Sequence, residues 1–204
     1  MKLYYAPGTV SVAVAIALHE AGQTFDARKV NFKDAEQTKP EYHKVNPKGR
    51  VPALEVDGAV LTETGAILDY IATTSPEAGL MPESAVEAAR VRGVIHYLAS
   101  TMQINHAHGP RAYRWAQEEE SHADMRAQVP KTMAASAAYV EDHCLKGPFV
   151  MGDHVTVADP HLFVMCQWLK GDGVDLDGYP RIVAFMDAME ARASVKAVRD
   201  AGML

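Results

Sequence analysis

Thr9-Val10-Ser11 follows a Pro7-Gly8 break and runs straight into an apolar stretch, Val12 to Leu18, that stops at Gly22. A helix starting there carries unpaired N–H groups and a partial positive charge at its first turn. Such an end can hold an anion or lower the pKa of a thiol. Ser11 fits that chemistry, and it also fits a plain N-cap. Thr62-Glu63-Thr64 makes a second helix start, ahead of a pattern reaching about Thr73. Thr64 can offer a carboxylate its N–H and hydroxyl. Glu63 can pair with a cation, or simply favour the helix dipole. Between these two starts lies Val51-Pro52, behind the basic, turn-rich run Asn46-Pro47-Lys48-Gly49-Arg50. Lys33, Lys48 and Arg50 are cations that can hold a carboxylate or stand as solvated surface charges.

Short elements must position these groups. Lys2 to Tyr5 reads as a strand, Phe25 to Phe32 as a second, and Pro52 to Val56 with Ala59 to Leu61 as a hairpin around Asp57-Gly58. Residues Lys33 to Lys44 read as a short exposed helix or loop. The order β-α-β-α-β-β-α makes one small α/β sheet domain. After Thr74-Ser75-Pro76 the strand signals stop. Helical spacing then predicts one long helix from Val86 to about Trp115, with Val91, Val94, Ile95, Leu98 and Met102 on its apolar face. Further helices are predicted from about His122 to His143, from near Thr156 to near Gly171, and from Tyr179-Pro180 to Arg199.

The chain has 204 residues, 48% hydrophobic and 23% charged, with net charge −6. That composition excludes a disordered chain or a disulfide knot, and the acidic balance argues against a nucleic-acid partner. Cys144 and Cys166 are the only cysteines, which fits a reduced compartment. The longest apolar run is far short of the ~20 residues a bilayer needs, so no membrane segment is expected and the location is read as cytoplasmic.

Lys2-Leu3-Tyr4-Tyr5-Ala6-Pro7-Gly8, Asn46-Pro47-Lys48-Gly49-Arg50-Val51-Pro52-Ala53-Leu54, Leu61-Thr62-Glu63 and Thr156-Val157-Ala158-Asp159 together resemble the cytosolic glutathione transferases, most closely the bacterial beta class. The resemblance implies a thioredoxin-like glutathione-binding domain over residues 1–76, a linker over 77–85, and an all-α domain over 86–204 that forms the electrophile side of a cleft. It implies a homodimer that conjugates glutathione to small hydrophobic electrophiles, with glutathione as co-substrate and no metal or other cofactor. Ser11 is then the first candidate to activate the glutathione thiol, and Tyr5 the second. Thr9, Val10, Arg50, Val51, Pro52, Glu63 and Thr64 become the glutathione-binding set. Thr64 and its helix end would hold the γ-glutamyl carboxylate, Glu63 the ammonium, and Arg50 the glycyl carboxylate. An X-Pro bond is cis only about 5–6% of the time. The resemblance nevertheless implies a cis Val51-Pro52 bond, with the Val51 N–H and C=O left to pair with the cysteinyl backbone.

Two departures matter. The beta class usually has a cysteine where this chain has Val10, so thiol–disulfide chemistry through that position is excluded. Alignment on Tyr97-Leu98-Ala99 puts Gln103, not His106, at the family's cleft-reaching histidine. On a helix His106 and His108 point about 200° apart, so they do not share one face. Gln103, His106 and His108 are kept as second-domain contacts, with Arg111, Tyr113, Arg114 and Trp115 as further pocket or interface residues. Thr156 to Asp159 reads as a capping box. Asp172 to Gly178 reads as an acidic turn. Two alternatives stay open on the same scaffold: a glutathione-dependent peroxidase and a non-catalytic ligand-binding protein.

Overall fold

The structure is a computed structural model that describes residues 1–204. Strands β1 (Lys2–Tyr5), β2 (Asp26–Lys29), β3 (Ala53–Val56) and β4 (Ala59–Thr62) form one sheet in the order β2-β1-β3-β4. β1 is parallel to β2, with Leu3 opposite Ala27, and antiparallel to β3, with Leu3 opposite Leu54. Asp57 and Gly58 join β3 to β4 with positive φ at both positions, 49° and 79°. A two-residue hairpin loop needs that geometry, because its twist matches the strands. The second strand is shorter than expected, four residues rather than Phe25 to Phe32, because its one neighbour, β1, ends at Tyr5, whose carbonyl accepts the Val30 N–H as the last rung.

Helix α1 (Ser11–Glu20) has no polar face until His19, and every residue from Ser11 to Leu18 is buried. A helix apolar all round must be covered all round. The sheet and helix α3 (Thr64–Thr74) cover it on one side. Two helices of the C-terminal half, α7 (Ala158–Leu169) and α9 (Ala193–Asp200), cover it on the other. Between α1 and α3 lies only a short helix, α2 (Pro40–His43). No helix is long and apolar enough to cross a membrane.

The C-terminal half is all helical, but its helices are shorter than the periodicity predicts. The stretch from Val86 to Trp115 is instead α4 (Ala85–Tyr97), a widened turn over Leu98–Met102, and α5 (Gln103–Ala107). Gly109-Pro110 ends it, since proline lacks an N–H and disfavours helix in the residue before it. Helix α6 (Glu119–Tyr139) follows, and the final stretch divides into α8 (Pro180–Glu190) and α9. The break falls at Arg192, which is extended at φ −73°, ψ 143°. The capping box forms at the start of α7. Asp159 accepts the Thr156 N–H at 2.7 Å and hydroxyl at 2.8 Å, and its other oxygen accepts the Val150 N–H at 2.7 Å. Burial pushes the Asp159 carboxyl up to about 6 against those three donors.

Ser11 does not cap α1. It is the first helical residue, and Val10 stands at the cap in helical conformation with no side-chain hydrogen bond. The Ser11 hydroxyl is turned back into the preceding loop, where it accepts the Ala6 N–H at 3.1 Å.

The two halves are tied at the far end of α1. Glu20 takes Arg192 Nε at 2.5 Å and Nη2 at 2.6 Å, and also the Ser194 hydroxyl at 2.5 Å. Burial alone would raise the Glu20 pKa, but the bonds from Arg192 and Ser194 outweigh it and hold it below 4.5. A depressed carboxylate contributes stability above its unfolded pKa and loses it as pH falls through the folded value. Glu20→Gln should therefore cost about 2 kcal/mol at neutral pH, less than a fully buried pair because the guanidinium is partly exposed. Thermal unfolding of both proteins across pH checks this. The gap between them should narrow below pH 4.5, where wild-type Glu20 takes up its proton.

Candidate active site

The sheet domain and the helical half enclose a cleft of about 620 Å³. On the sheet side its wall is mostly backbone. The α1 end contributes Thr9 and Val10. Val10 has an N–H with no hydrogen-bond partner, as expected for the first turn of a helix. The Val51-Pro52 peptide is cis and lines the cleft, and neither the N–H nor the C=O of Val51 is paired inside the protein. The α3 end contributes Thr64, nearly buried, whose hydroxyl has no protein partner. Glu63 presents that end at φ 72°, a backbone region costly for a residue with a side chain. Two helix N-termini and one open stretch of backbone thus face the same space.

Loop shape at the α1 end comes from side chains behind the wall. The Thr9 hydroxyl donates to the Ala6 carbonyl at 2.8 Å and lies 2.7 Å from the Ser11 hydroxyl. Ser11 is wholly buried and does not reach the cleft. Tyr5 is also buried, packed in the core beneath the sheet, because alternation along β1 turns it inward. Gly8 is gripped from two sides by the helical half. Its N–H donates to the Met203 carbonyl at 2.9 Å, and its carbonyl accepts Trp168 Nε1 at 3.0 Å.

From the helical side come Gln103 and Ile104 of α5, Arg111 with Tyr113, Arg114 and Trp115, and Trp168 of α7. His106 and His108 stay behind this wall. His106 Nδ1 is 2.8 Å from Asp172, and its ring stacks on Trp168 at 4.2 Å with 21° between planes. His108 meets Trp115 edge-on at 4.6 Å. The acidic turn after α7 thus supplies Asp172 as a partner for His106. Close approach of the two halves is permitted by Gly65, where a Cβ would come within 2.8 Å of Ile95.

Of the residues singled out in the sequence, Thr9, Val10, Arg50, Val51, Pro52, Glu63, Thr64 and Gln103 are brought together on the cleft wall. Ser11, Tyr5, His106 and His108 are not on it. Lys33 is absent from it as well, and Lys48 is engaged with Glu63 at 2.8 Å and the Thr62 hydroxyl at 2.7 Å. Sequence reasoning missed Trp168, Phe32 and Gln37, all on the wall. Trp168 sits at the end of an apolar helix and reads there as core. Phe32 reads in the sequence as the last residue of the longer strand expected from Phe25.

No trio of His, Cys, Asp or Glu gathers to hold a metal. Neither cysteine is near this chemistry: both are buried and free. Burial pushes the Cys144 thiol up to about 11 and Cys166 further still. A thiolate in this cleft has to arrive with a ligand.

Comparison with known proteins agrees with this geometry. The family description "Glutathione S-transferase, N-terminal domain" matches residues 1–73, and "Glutathione S-transferase, C-terminal domain" matches residues 104–200. Glutathione S-transferase GstA of Escherichia coli O157:H7 is 33% identical over 199 residues, covering 96% of both chains. A crystal structure of a glutathione transferase homologue from Sulfitobacter, with bound glutathione, superimposes with a TM-score of 0.98 at 55% identity, over 100% of this chain and 98% of that one. The bacterial beta class glutathione S-transferase of Sphingomonas chungbukensis superimposes at 0.84 with 32% identity, over 99% and 98%. Sequence, fold and cleft together place this chain in the glutathione S-transferase family.

Proposed function

We propose that the cleft binds reduced glutathione along the sheet domain and conjugates its sulfur to an electrophile held from the helical side. The observation that carries this reading is the convergence of two helix N-termini and the unpaired Val51 backbone on one cleft. Each matches one part of the tripeptide. The Thr64 N–H and hydroxyl take the γ-glutamyl carboxylate. Val51 pairs with the cysteinyl backbone as an added strand would. Glu63, turning from Lys48, takes the ammonium, and Arg50 takes the glycyl carboxylate.

The sulfur then lies at the α1 end, against the Val10 N–H, and the Thr9 hydroxyl turns its proton from the Ala6 carbonyl to meet it. Ser11 acts from behind by holding Thr9 and Ala6, and Tyr5 stands further back in the core. Gln103 faces the sulfur from α5. Reaction forms a bond from sulfur to the electrophilic carbon, the leaving group departs with its electron pair, and the thiol proton goes to solvent.

Magnitudes decide what matters most. An ordinary thiol of pKa ~8.5 is roughly 3% ionised at pH 7, and lowering it by ~2 units gains about 25-fold in thiolate. The weaker nucleophile loses about six- to tenfold of that by a Brønsted slope of ~0.4–0.5, so the net gain is only about threefold to fourfold. Holding two reactants in line contributes far more.

The quaternary state we propose is a homodimer, and the location cytoplasmic. Both rest on family likeness, and sedimentation of the purified chain checks the first.

Calorimetric titration with reduced glutathione, in two buffers of different ionisation enthalpy, tests the site. Saturable binding whose heat depends on the buffer is expected. Absence of binding at millimolar glutathione would remove the reading and leave a non-catalytic ligand-binding protein. Two variants separate the hydroxyls. Thr9→Val should lower kcat/KM for an aryl halide about threefold to thirtyfold, with a smaller loss of stability than Ser11→Ala because its hydroxyl bonds are only part-buried. Ser11→Ala should lower both, because the buried Ala6 N–H loses its acceptor at a cost of about 1–3 kcal/mol. Full activity in Thr9→Val with none in a folded Ser11→Ala protein would put the Ser11 hydroxyl at the sulfur instead.

A further inference from the structure

We propose that the helical side of this cleft is built for a negatively charged electrophile, and that Arg111, flanked by Arg114, receives its carboxylate. The proposal rests on the glutathione reading above and names the substrate class for it.

The charges on the cleft wall do not balance. Lys48 and Glu63 neutralise each other. The remaining full charges on the wall are Arg50, Arg111 and Arg114, and no second carboxylate lines it. None of the three arginines makes an ion pair, although Arg28, Arg92, Arg126, Arg192 and Arg199 all do. The chain has 26 acidic residues against 20 lysines and arginines, so a cluster of cations without acids is not a by-product of composition.

Arg111 is the most telling of the three. It is half-buried, and its guanidinium makes no hydrogen bond to the protein. Taking a guanidinium out of water is costly unless an anion meets it. Burial first, then the adjacent Arg114, with Arg50 also contributing, lowers its pKa from the usual arginine value. It stays charged, because arginine does so at any pH the fold survives. A sheltered Arg111, beside the exposed Arg50 and Arg114 on the same cleft, awaits an anion.

Glutathione does not account for them all. Its two carboxylates go to the α3 end and to Arg50, and its sulfur to the α1 end. Arg111 and Arg114 are left over, on the opposite wall from the sheet domain. Tyr113, Trp115 and Ile104 stand around them. That combination suits a flat apolar body carrying a carboxylate, which the planar guanidinium fork can take with two parallel bonds.

A chlorodinitrobenzoate and its carboxamide form a matched pair of probes, nearly equal in shape and differing in charge. In both, the glutathione sulfur bonds to the ring carbon bearing chlorine, chloride leaves with the bonding pair, and the thiol proton passes to buffer. For each probe kcat/KM is divided by its uncatalysed rate with glutathione. Wild-type enzyme should favour the benzoate about tenfold or more, as for a hydrogen-bonded charge pair. Arg111→Met should bring that ratio towards one, Arg111→Lys should keep part of it, and Arg114→Gln should lower it in the same direction.

A wild-type ratio of one or less would overturn the proposal. So would an unchanged ratio in Arg111→Met accompanied by a raised KM for glutathione, since Arg111 would then serve glutathione itself. If glutathione binds but neither probe turns over, the transferase reading fails separately. Calorimetry with the two preformed S-conjugates then decides the charge preference without chemistry. Tighter binding of the carboxylate conjugate, lost in Arg111→Met, supports it, and equal affinities overturn it.

Discussion

The grip on Gly8 is the contact on which the cleft depends. Its N–H is held by the Met203 carbonyl at 2.9 Å and its carbonyl by Trp168 Nε1 at 3.0 Å. Both partners belong to the helical half, while Gly8 belongs to the loop that starts α1. The loop's φ of 67° there is open to glycine and costly for other residues. From that fixed point follow the positions of Thr9 and Val10, the direction of the first turn of α1, and the place where an anion meets it. At its other end α1 is pinned by Glu20 to Arg192. A helix apolar on all sides has no solvent face to settle its rotation or height. Specific polar contacts at its two ends set them instead.

The same contacts explain how two side chains outside the cleft, His106 and Ser11, still bear on it. His106 stacks on Trp168 and is held by Asp172, so it supports the indole that supports Gly8. A side chain one layer back can therefore shape the site without touching a ligand. Ser11 stands in the same relation to Thr9. In electrostatic terms the cleft is the reverse of the molecule: the chain carries −6 overall, yet the wall carries three unpaired arginines. Acidic ligands are drawn there by local placement of charge rather than by net charge.

Much of this was legible in the sequence. The Asp57-Gly58 turn, the two helix starts and the loss of strand signals after Pro76 are local patterns, and local chemistry decides them. The resemblance supplied the cis Val51-Pro52 bond, which spacing alone argues against. What failed to show was set by tertiary contacts. Ser11 looks like a cap because serine caps helices, but whether its hydroxyl turns forward or back depends on Ala6 and Thr9 around it. Trp168 looks like core because it ends an apolar helix, and nothing in its own segment announces Gly8 as its partner. The long helical period through Gln103 and His106 hid the stop at Gly109-Pro110, because apolar spacing persisted almost to the break. The unpaired state of Arg111 is invisible in one dimension, since acids are plentiful in the chain and only the fold keeps them away.

The central claim is that the α1 end stabilises a thiolate that glutathione brings to a cleft with no thiol of its own. Ultraviolet absorbance of the thiolate, followed while a saturated enzyme–glutathione complex is titrated with base, tests it most directly. Free enzyme under the same titration supplies the blank. The account predicts that the bound thiol ionises about 1.5–2 pH units below the ~8.5 of an ordinary thiol. A bound thiol that titrates with free glutathione would contradict it, and would leave α1 as a structural helix whose end does no chemistry.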